Sequence, residues 1–301
     1  MRHFAMRHVT IRLVAAVLLL GLTATGWAQE PPLPELDELL ARVRARLEDD
    51  DARQAGWAYV ETRREMKLDG SGRVTDESVK VFESYPGLPG QGRWNRLIEE
   101  DGVPLSAEAL AEQDEQRRRD AERYLERNAR QSEADRARRA RDRERRSQRQ
   151  ADRIDDVFTV FDGRIEGRAL LNGHRTIVLS LTPDPDAKTK SDVGKWMRHF
   201  AVRVWVSEAE HELVRVEAEA LRDVTIGAGL LARVHKGATA LFERTKVGGE
   251  RWLPVRSEYT VSGRVLLLKR LRQRGVSEYS GYRRFTVDTT TVLEPPASLD
   301  D

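Results

Sequence analysis

The sequence predicts a mainly β protein with a few helices, an α+β fold built on a long antiparallel meander whose open face is covered by helices. The strongest observation is the stretch from residue 200 to residue 285, where apolar and polar residues alternate with period two. A second is Gly248-Gly249, which lies between two such runs and suits a two-residue hairpin turn. A third is a helical apolar pattern over residues 36–47, because a lone amphipathic helix beside many strands usually covers an open sheet face.

The individual strands are predicted from the same alternation, and the turns from glycine, proline and asparagine. A short helix is predicted over residues 193–200, and an irregular bend over residues 227–234. The predicted strands cover residues 57–68, 73–85, 93–99, 157–161, 175–182, 200–206, 214–220, 237–247, 251–262, 264–274 and 277–285.

Composition limits the chemistry. The chain has 301 residues with a formal net charge of +2, so it has no global attraction to nucleic acid. It contains no cysteine, which excludes disulfides, thiolate nucleophiles and an N-terminal lipidated cysteine. The segment His211-Glu212-Leu-Val-Arg215 begins like a zinc-protease motif, but an arginine stands where the second histidine is needed. We therefore expect no metal, no other cofactor and no enzymatic activity, with an enzyme based on buried carboxylates as the open alternative.

Residues 1–28 have the composition of a secretory signal peptide. Three arginines precede an apolar run over residues 13–22, and the small residues Gly26 and Ala28 stand before a cleavage point at Gln29. This run is shorter than the roughly 20 residues that span a bilayer. We expect a periplasmic protein that is exported through a cleaved signal peptide, carries no lipid and is at most peripheral to a membrane. An uncleaved anchor is the alternative.

The rest of the chain is expected to form one domain built on this sheet. Residues 29–105 hold the amphipathic helix and the first strands, and residues 106–153 form an inserted charged helix. The remaining strands follow over residues 154–290, and residues 291–301 are a flexible tail.

The charged insertion carries 15 arginines, 12 acidic residues and no lysine. Ser106 fits an N-cap, and acid-before-base pairs at i,i+4, such as Asp114–Arg118 and Asp142–Arg146, each stabilise an isolated helix by about 0.2–0.5 kcal/mol. Its few apolar residues form no heptad pattern, so we expect a solvent-exposed helix. Three roles are open: a spacer without specific contacts, a surface for an anionic envelope partner, and nucleic-acid binding, which the near balance of charges disfavours.

Four local patterns are characteristic: Trp57 at the start of the first strand, the proline-terminated strand 173–183, the hairpin 202–215 with its tryptophan and acidic turn, and Glu-Arg-Trp-Leu-Pro at 250–254. These patterns resemble the periplasmic lipoprotein carriers of the LolA/LolB type and the related sigma-factor regulator RseB. The resemblance covers about residues 56–100 and 157–286, and the charged insertion has no counterpart in those carriers. It implies an incomplete antiparallel β-barrel, a curved meander sheet covered by short helices, with an apolar cavity, and a lipid or acylated protein as the partner.

The concave face of the predicted sheet is therefore the candidate binding surface for a lipid or acyl chain. A one-residue error in register would move a side chain to the other face. The alternative function is an envelope interaction module that docks a partner through the arginine-rich helix of residues 106–153. The candidate lining residues are Trp205, Val216, Phe242, Tyr259 and Leu267.

Overall fold

The structure, a computed structural model, describes residues 30–88, 92–226, 232–265 and 269–285. Contacts divide the chain after Pro34; the described residues before this point form no helix or strand, and the fold reported below begins at Glu35. Four predictions lie outside the described residues: the signal peptide, the first part of the bend after Ile226, the C-terminal tail, and the candidate residue Leu267.

Most predicted helices and strands are present in the predicted order, with most bounds within one or two residues. One strand, Lys269–Arg284, stands where two were predicted over residues 264–274 and 277–285, and the predicted bend ends in the short strand Ala232–Val234. The sequence does not predict the strands Val103–Pro104, Phe161–Leu171 and Val224–Ile226. The helices are α1 (Leu36–Glu48), α2 (Asp50–Gln54), α3 (Ala107–Ala129), α4 (Glu133–Val160) and α5 (Asp192–Met197). The strands are β1 (Trp57–Leu68), β2 (Val74–Tyr85), β3 (Trp94–Glu100), β4 (Val103–Pro104), β5 (Phe161–Leu171), β6 (His174–Pro183), β7 (Phe200–Ser207), β8 (Leu213–Ala220), β9 (Val224–Ile226), β10 (Ala232–Val234), β11 (Thr239–Val247), β12 (Arg251–Val265) and β13 (Lys269–Arg284).

All the pairings described between these strands are antiparallel. The main path of the sheet runs β4-β3-β2-β1-β13-β12-β11-β8-β7-β6-β5, while β9 and β10 pair with each other and β10 with the far end of β12. The path ends at β4 on one side and β5 on the other, so within the described residues the sheet is not closed. The loop from β11 to β12 is Gly248-Gly249-Glu250, one residue longer than the predicted two-residue turn, and both glycines have positive φ. The predicted fold class, an open antiparallel sheet with a few helices, is confirmed.

Helix α1 packs on one face of the sheet, over β6 and β7. Its predicted apolar positions form the contact, and each fully buried aliphatic side chain contributes roughly 1.5–3 kcal/mol. Leu36 and Val216 pack at the margin of this core. We call this side of the sheet the α1 face. Its buried core consists of Leu39, Val43, Ile177, Leu179, Val204 and Val206.

Helix α3 packs on the opposite face, over β2 and β3, and is not exposed along its whole length as predicted. Asp114 accepts from Arg96 of β3 at 2.9 Å instead of pairing with Arg118. Arg117 lies 4.2 Å from the ring centroid of Trp94, and Ala121 is buried. In addition, the Gln113 amide accepts from the Leu97 N–H and donates to the Leu97 carbonyl, both at 2.9 Å.

The charged insertion is two helices, whereas the sequence predicted one. Helix α3 ends at Ala129, and Ser132 starts α4 with a capping box in which Asp135 is the reciprocal partner. The strand predicted over residues 157–161 is also wrong, because α4 continues to Val160. Asp156 and Val160 are both buried at an i,i+4 spacing, which suits a helix that packs along one side.

Asp156 attaches α4 to α5. Its carboxylate accepts hydrogen bonds from the Lys190 N–H, the Ser191 N–H and the Ser191 hydroxyl, at 2.6 to 2.8 Å. A Cβ on Gly194 would lie 2.3 Å from Asp156 Oδ2, so only glycine permits this approach.

We expect Gly194→Ala to lower the free energy of unfolding by about 1–3 kcal/mol, because the added methyl group meets a buried carboxylate. Urea unfolding followed by circular dichroism measures it. Gly70→Ala is the control, since its Cβ meets no atom within 4 Å. A stabilised Gly194→Ala variant, the usual result for glycine in a helix, would contradict this packing.

Candidate functional site

Strand register decides which side chains share a face, because residues directly opposite each other in a pair point to the same side. From β5 inward, one row on the α1 face starts in the core under α1 and becomes polar at β12. The residues of this row are Ile165, Leu179, Val204, Val216, Phe242, Ser257, Ser277 and Arg63.

Three of the predicted lining residues meet on the α1 face. Val216 lies directly opposite Phe242, and Tyr259 lies directly opposite Ala240 in the next row. The Tyr259 ring covers Gly275, and Tyr259 is 39% exposed. Phe242 is half-buried, so an apolar surface continues past the edge of the α1 core.

Trp205 does not join this group. It follows Val204 in β7 and pairs with Arg215, so it points to the opposite face. There the guanidinium groups of Arg203 and Arg215 lie 5.2 and 5.3 Å from its ring centroid. The tryptophan is accommodated by cation–π contacts on a charged surface.

The sequence analysis missed a tyrosine cluster beside Phe242. Tyr59 makes ring contacts with Tyr279 and Tyr282, with centroids 5.6 and 5.4 Å apart, and Tyr282 contacts Trp57 at 6.4 Å. The Tyr279 hydroxyl lies 3.0 Å from the hydroxyl of Ser257, the residue directly opposite Phe242. The only available signal was the position of these aromatics in β1 and β13, which are neighbours in space and far apart in sequence. We call Tyr59, Phe242, Tyr259, Tyr279 and Tyr282 the aromatic surface.

Two tyrosines of this cluster are strongly desolvated. Burial raises the pKa of Tyr279 and Tyr282 above the ordinary value, and a second contribution for Tyr282 comes from the neighbouring Tyr59. The Tyr282 hydroxyl donates to the Pro254 carbonyl at 2.6 Å, and the Tyr279 hydroxyl lies within hydrogen-bond distance of Ser257. Since both hydroxyls have partners, the two ring faces present an apolar surface.

A cavity of about 750 Å³ adjoins this cluster at the start of β1 and β12 and the end of β13. Trp57 lines it and also contacts Tyr282, so the cavity and the aromatic surface share a ring contact. The cavity lining consists of Asp49, Arg53, Ala55, Gly56, Trp57, Pro86, Gly87, Arg251, Arg284 and Phe285.

The arginines of the cavity differ in their partners. Arg53 pairs with Glu212 at 3.1 Å. Arg284 lies over the Trp57 ring at 5.9 Å, and Arg251 has a buried Nε without a hydrogen-bond partner. No carboxylate of the described residues lies within 4.0 Å of Arg251 or Arg284. The cavity therefore has positive charge available for an anionic group.

A buried ion cluster ties α2 to the sheet next to this cavity. Arg244 is buried, donates to Asp50 at 2.5 Å and to the Trp252 carbonyl at 3.0 Å, and lies 3.5 Å from Glu212. Burial raises the pKa of Glu212, although the nearby Arg53 and Arg244 oppose the shift. The cluster fixes Arg53 at the cavity wall.

Within the described residues, no three histidine, aspartate or glutamate side chains come together to hold a metal ion. No helix of this part of the chain is long and apolar enough to cross a bilayer.

No protein-family model matches the chain, and no curated protein matches it significantly. Solved structures do resemble it. An outer-membrane lipoprotein-sorting protein domain from Vibrio parahaemolyticus is 11% identical, with 84% of this chain and 94% of that chain covered and a TM-score of 0.35. A LolA superfamily protein from Nitrosomonas europaea is 10% identical (87% and 99% covered, TM-score 0.30). The MucA/MucB complex of Pseudomonas aeruginosa gives 9% identity (83% and 100% covered, TM-score 0.23).

The family that the sequence resembles is thus among the solved structures that are similar to the chain. With identities of 11% or less and TM-scores of 0.35 or less, these structures say nothing about what this chain binds.

We expect Arg244→Met to lower the free energy of unfolding by about 3 kcal/mol, because it removes the buried cation of the cluster and leaves Arg53 alone to pair with the partly buried carboxylates of Asp50 and Glu212. Adding Glu212→Gln should recover part of the loss, and Lys67→Met, which breaks the exposed pair with Asp76, should leave the urea midpoint unchanged. Equal midpoints for wild type and Arg244→Met would show that the cluster does not stabilise the fold.

Proposed function

We propose that the chain is a non-enzymatic periplasmic binding protein that holds a lipid or an acylated protein by its acyl chain. The observation that carries this proposal is that the arginine-lined cavity and the aromatic surface are continuous. Trp57 lines the cavity and contacts the tyrosine cluster, and this cluster extends to Phe242 at the edge of the α1 core. An amphiphile with an acyl chain and an anionic group matches both the aromatic surface and the arginine-lined cavity. Lipoprotein sorting or envelope maintenance would be its cellular role.

The acyl chain would lie along the α1 face beside Phe242. In the next row, Ala218 and Ala240 lie between the larger Val202 and Tyr259, so the small side chains leave a shallow groove on the sheet surface. Small side chains flanked by larger ones suit a linear hydrocarbon. Each buried methylene contributes about 0.8 kcal/mol. Association costs roughly 4–15 kcal/mol, which about 5 to 19 buried methylenes offset, so a long acyl chain is needed for useful affinity.

The anionic group of the ligand would lie in the cavity near Arg251 and Arg284. A guanidinium without a carboxylate partner forms strong, charge-assisted hydrogen bonds with carboxylate or phosphate. The buried Nε of Arg251 would gain its missing acceptor.

Phe242→Gln should weaken palmitate binding at least tenfold, because it removes a large apolar contact from the surface under the chain. Leu241→Gln is the matched control. Leu241 immediately precedes Phe242 in β11 and points to the opposite face, where it lies directly opposite Glu217 and Glu258. Fluorescence displacement of a bound fatty-acid probe measures both, after thermal unfolding has shown that both variants fold.

Equal loss of affinity in the two variants would reject the α1 face as the site. If the wild-type protein takes up neither palmitate nor an acylated peptide, and native mass spectrometry of the envelope-purified protein shows only the bare chain, the function itself is rejected.

A second function, docking of an anionic envelope partner through α4, has one observation in its favour. Residues 136–149 carry eight arginines against two acidic residues, whereas α3 carries five arginines against seven. The nearly balanced total of the insertion therefore conceals a positive stretch within α4 and a negative α3. Arg141, Arg145 and Arg149 are exposed and follow one another at four-residue spacing.

Replacing Arg141, Arg145 and Arg149 together by Gln should abolish co-sedimentation with purified cell-wall sacculi if α4 docks on this polymer, while palmitate binding stays unchanged. Deleting the insertion would be a poorer test, because α3 covers Tyr85 and Trp94.

The control for this variant is the triple replacement of Arg118, Arg119 and Arg123 by Gln. It removes the same charge from α3, where these arginines pair with acidic residues of their own helix. Wild-type protein that stays in the supernatant would exclude docking on the polymer.

A further inference from the structure

We propose that the protein docks on an anionic lipid surface through three arginines at the end of the sheet formed by β10, β12 and β13. Arg233 lies directly opposite Arg264, and Arg264 lies directly opposite Arg270. We call these three residues the arginine row. All three side chains are exposed and, by register, they project from the same face.

Such a row destabilises the isolated sheet. Side chains directly opposite each other have Cβ atoms only about 4.5–5.5 Å apart, and like charges in these positions repel. No carboxylate oxygen of the described residues lies within 4.0 Å of Arg233, Arg264 or Arg270. An external anion would remove the repulsion.

Other arginines on the same face of the sheet are paired with carboxylates. Further along β12 and β13, Glu258 pairs with Arg256 at 2.9 Å and with Arg274 at 2.6 Å. Arg256 also pairs with Glu278 at 3.2 Å. Charge pairing is therefore the pattern of this face, and it stops at the arginine row.

Asp223, an acidic residue on the neighbouring loop, already has hydrogen-bond partners. Asp223 accepts from the Lys236 N–H at 3.0 Å and lies 3.2 Å from His235 Nδ1. These hydrogen bonds lower the pKa of Asp223, with a smaller contribution from Arg233. Arg272, next to the row, is held by the Gly70 carbonyl at 2.8 Å and takes no part in it.

The shape of the row favours a surface over a single anion. Strands lie about 4.8 Å apart, so three arginines on three adjacent strands span roughly 10 Å and meet several phosphates at once. All three are exposed, which suits the headgroup plane of a bilayer. Arg264 and Arg270 also line a cavity of about 380 Å³ with Asp69, whose carboxylate already accepts hydrogen bonds from Ser71 and Arg73.

The test is co-sedimentation of the full mature protein with vesicles of phosphatidylcholine, with and without phosphatidylglycerol. We expect binding only to the anionic vesicles, and about 25-fold weaker binding when Arg264 and Arg270 are both replaced by Gln, from roughly fivefold for each arginine. The matched control replaces Arg256 and Arg274 by Gln, which removes the same charge from the same face and should bind like wild type.

Three results would overturn the inference. The first is equal vesicle binding by the Arg264→Gln/Arg270→Gln variant and the wild type, and the second is equal binding to both kinds of vesicle. The third is release from the vesicles by millimolar inorganic phosphate at constant ionic strength, which would indicate a site for a soluble anion. Loss of vesicle binding only in the α4 triple variant would also reject it. None of these outcomes depends on palmitate binding.

Discussion

The register of β8 between β7 and β11 is the constraint on which the rest of the structure depends. It places Val204, Val216 and Phe242 in one row, so the core under α1 continues as an apolar surface onto β11. It also sends Arg215 and Glu217 to the other side, where they belong to a charged surface. A shift by one residue would bury these charges beneath α1 and expose the core. The two faces therefore have different roles because of one alignment.

The order of elements could be predicted because the alternation is strong and the turns are marked. The face of Trp205 could not, since alternation shows which residues share a side without showing which side a helix covers. The break between α3 and α4 had a local signal, the capping box of Ser132 and Asp135, that the high helix propensity around it concealed. The tyrosine cluster had no local signal, because β1 and β13 pair across almost the entire chain.

The charged side chains are distributed unevenly over the two faces of the sheet. On the α1 face they include the buried cluster around Arg244 and the pair of Arg63 with the buried Glu61, and on the opposite face they form paired networks such as Arg215–Glu243. Arginines without carboxylate partners occur at both ends of β12, near Arg251 and at Arg264. These positions lie 13 residues apart, or about 40 Å along the strand, so the proposed ligand cavity and the proposed lipid-docking surface are well separated.

The contact between Gln113 and Leu97 has a consequence for the solubility of the open sheet. An open sheet has edge strands whose free N–H and C=O groups can template aggregation with another chain. The Gln113 side-chain amide occupies both groups of Leu97 that a further strand would use, and β4 covers only the end of β3. On the other edge, a bulge between Ile165 and Gly167 interrupts β5. The sheet can thus stay open without offering either margin as a continuous template for fibril growth.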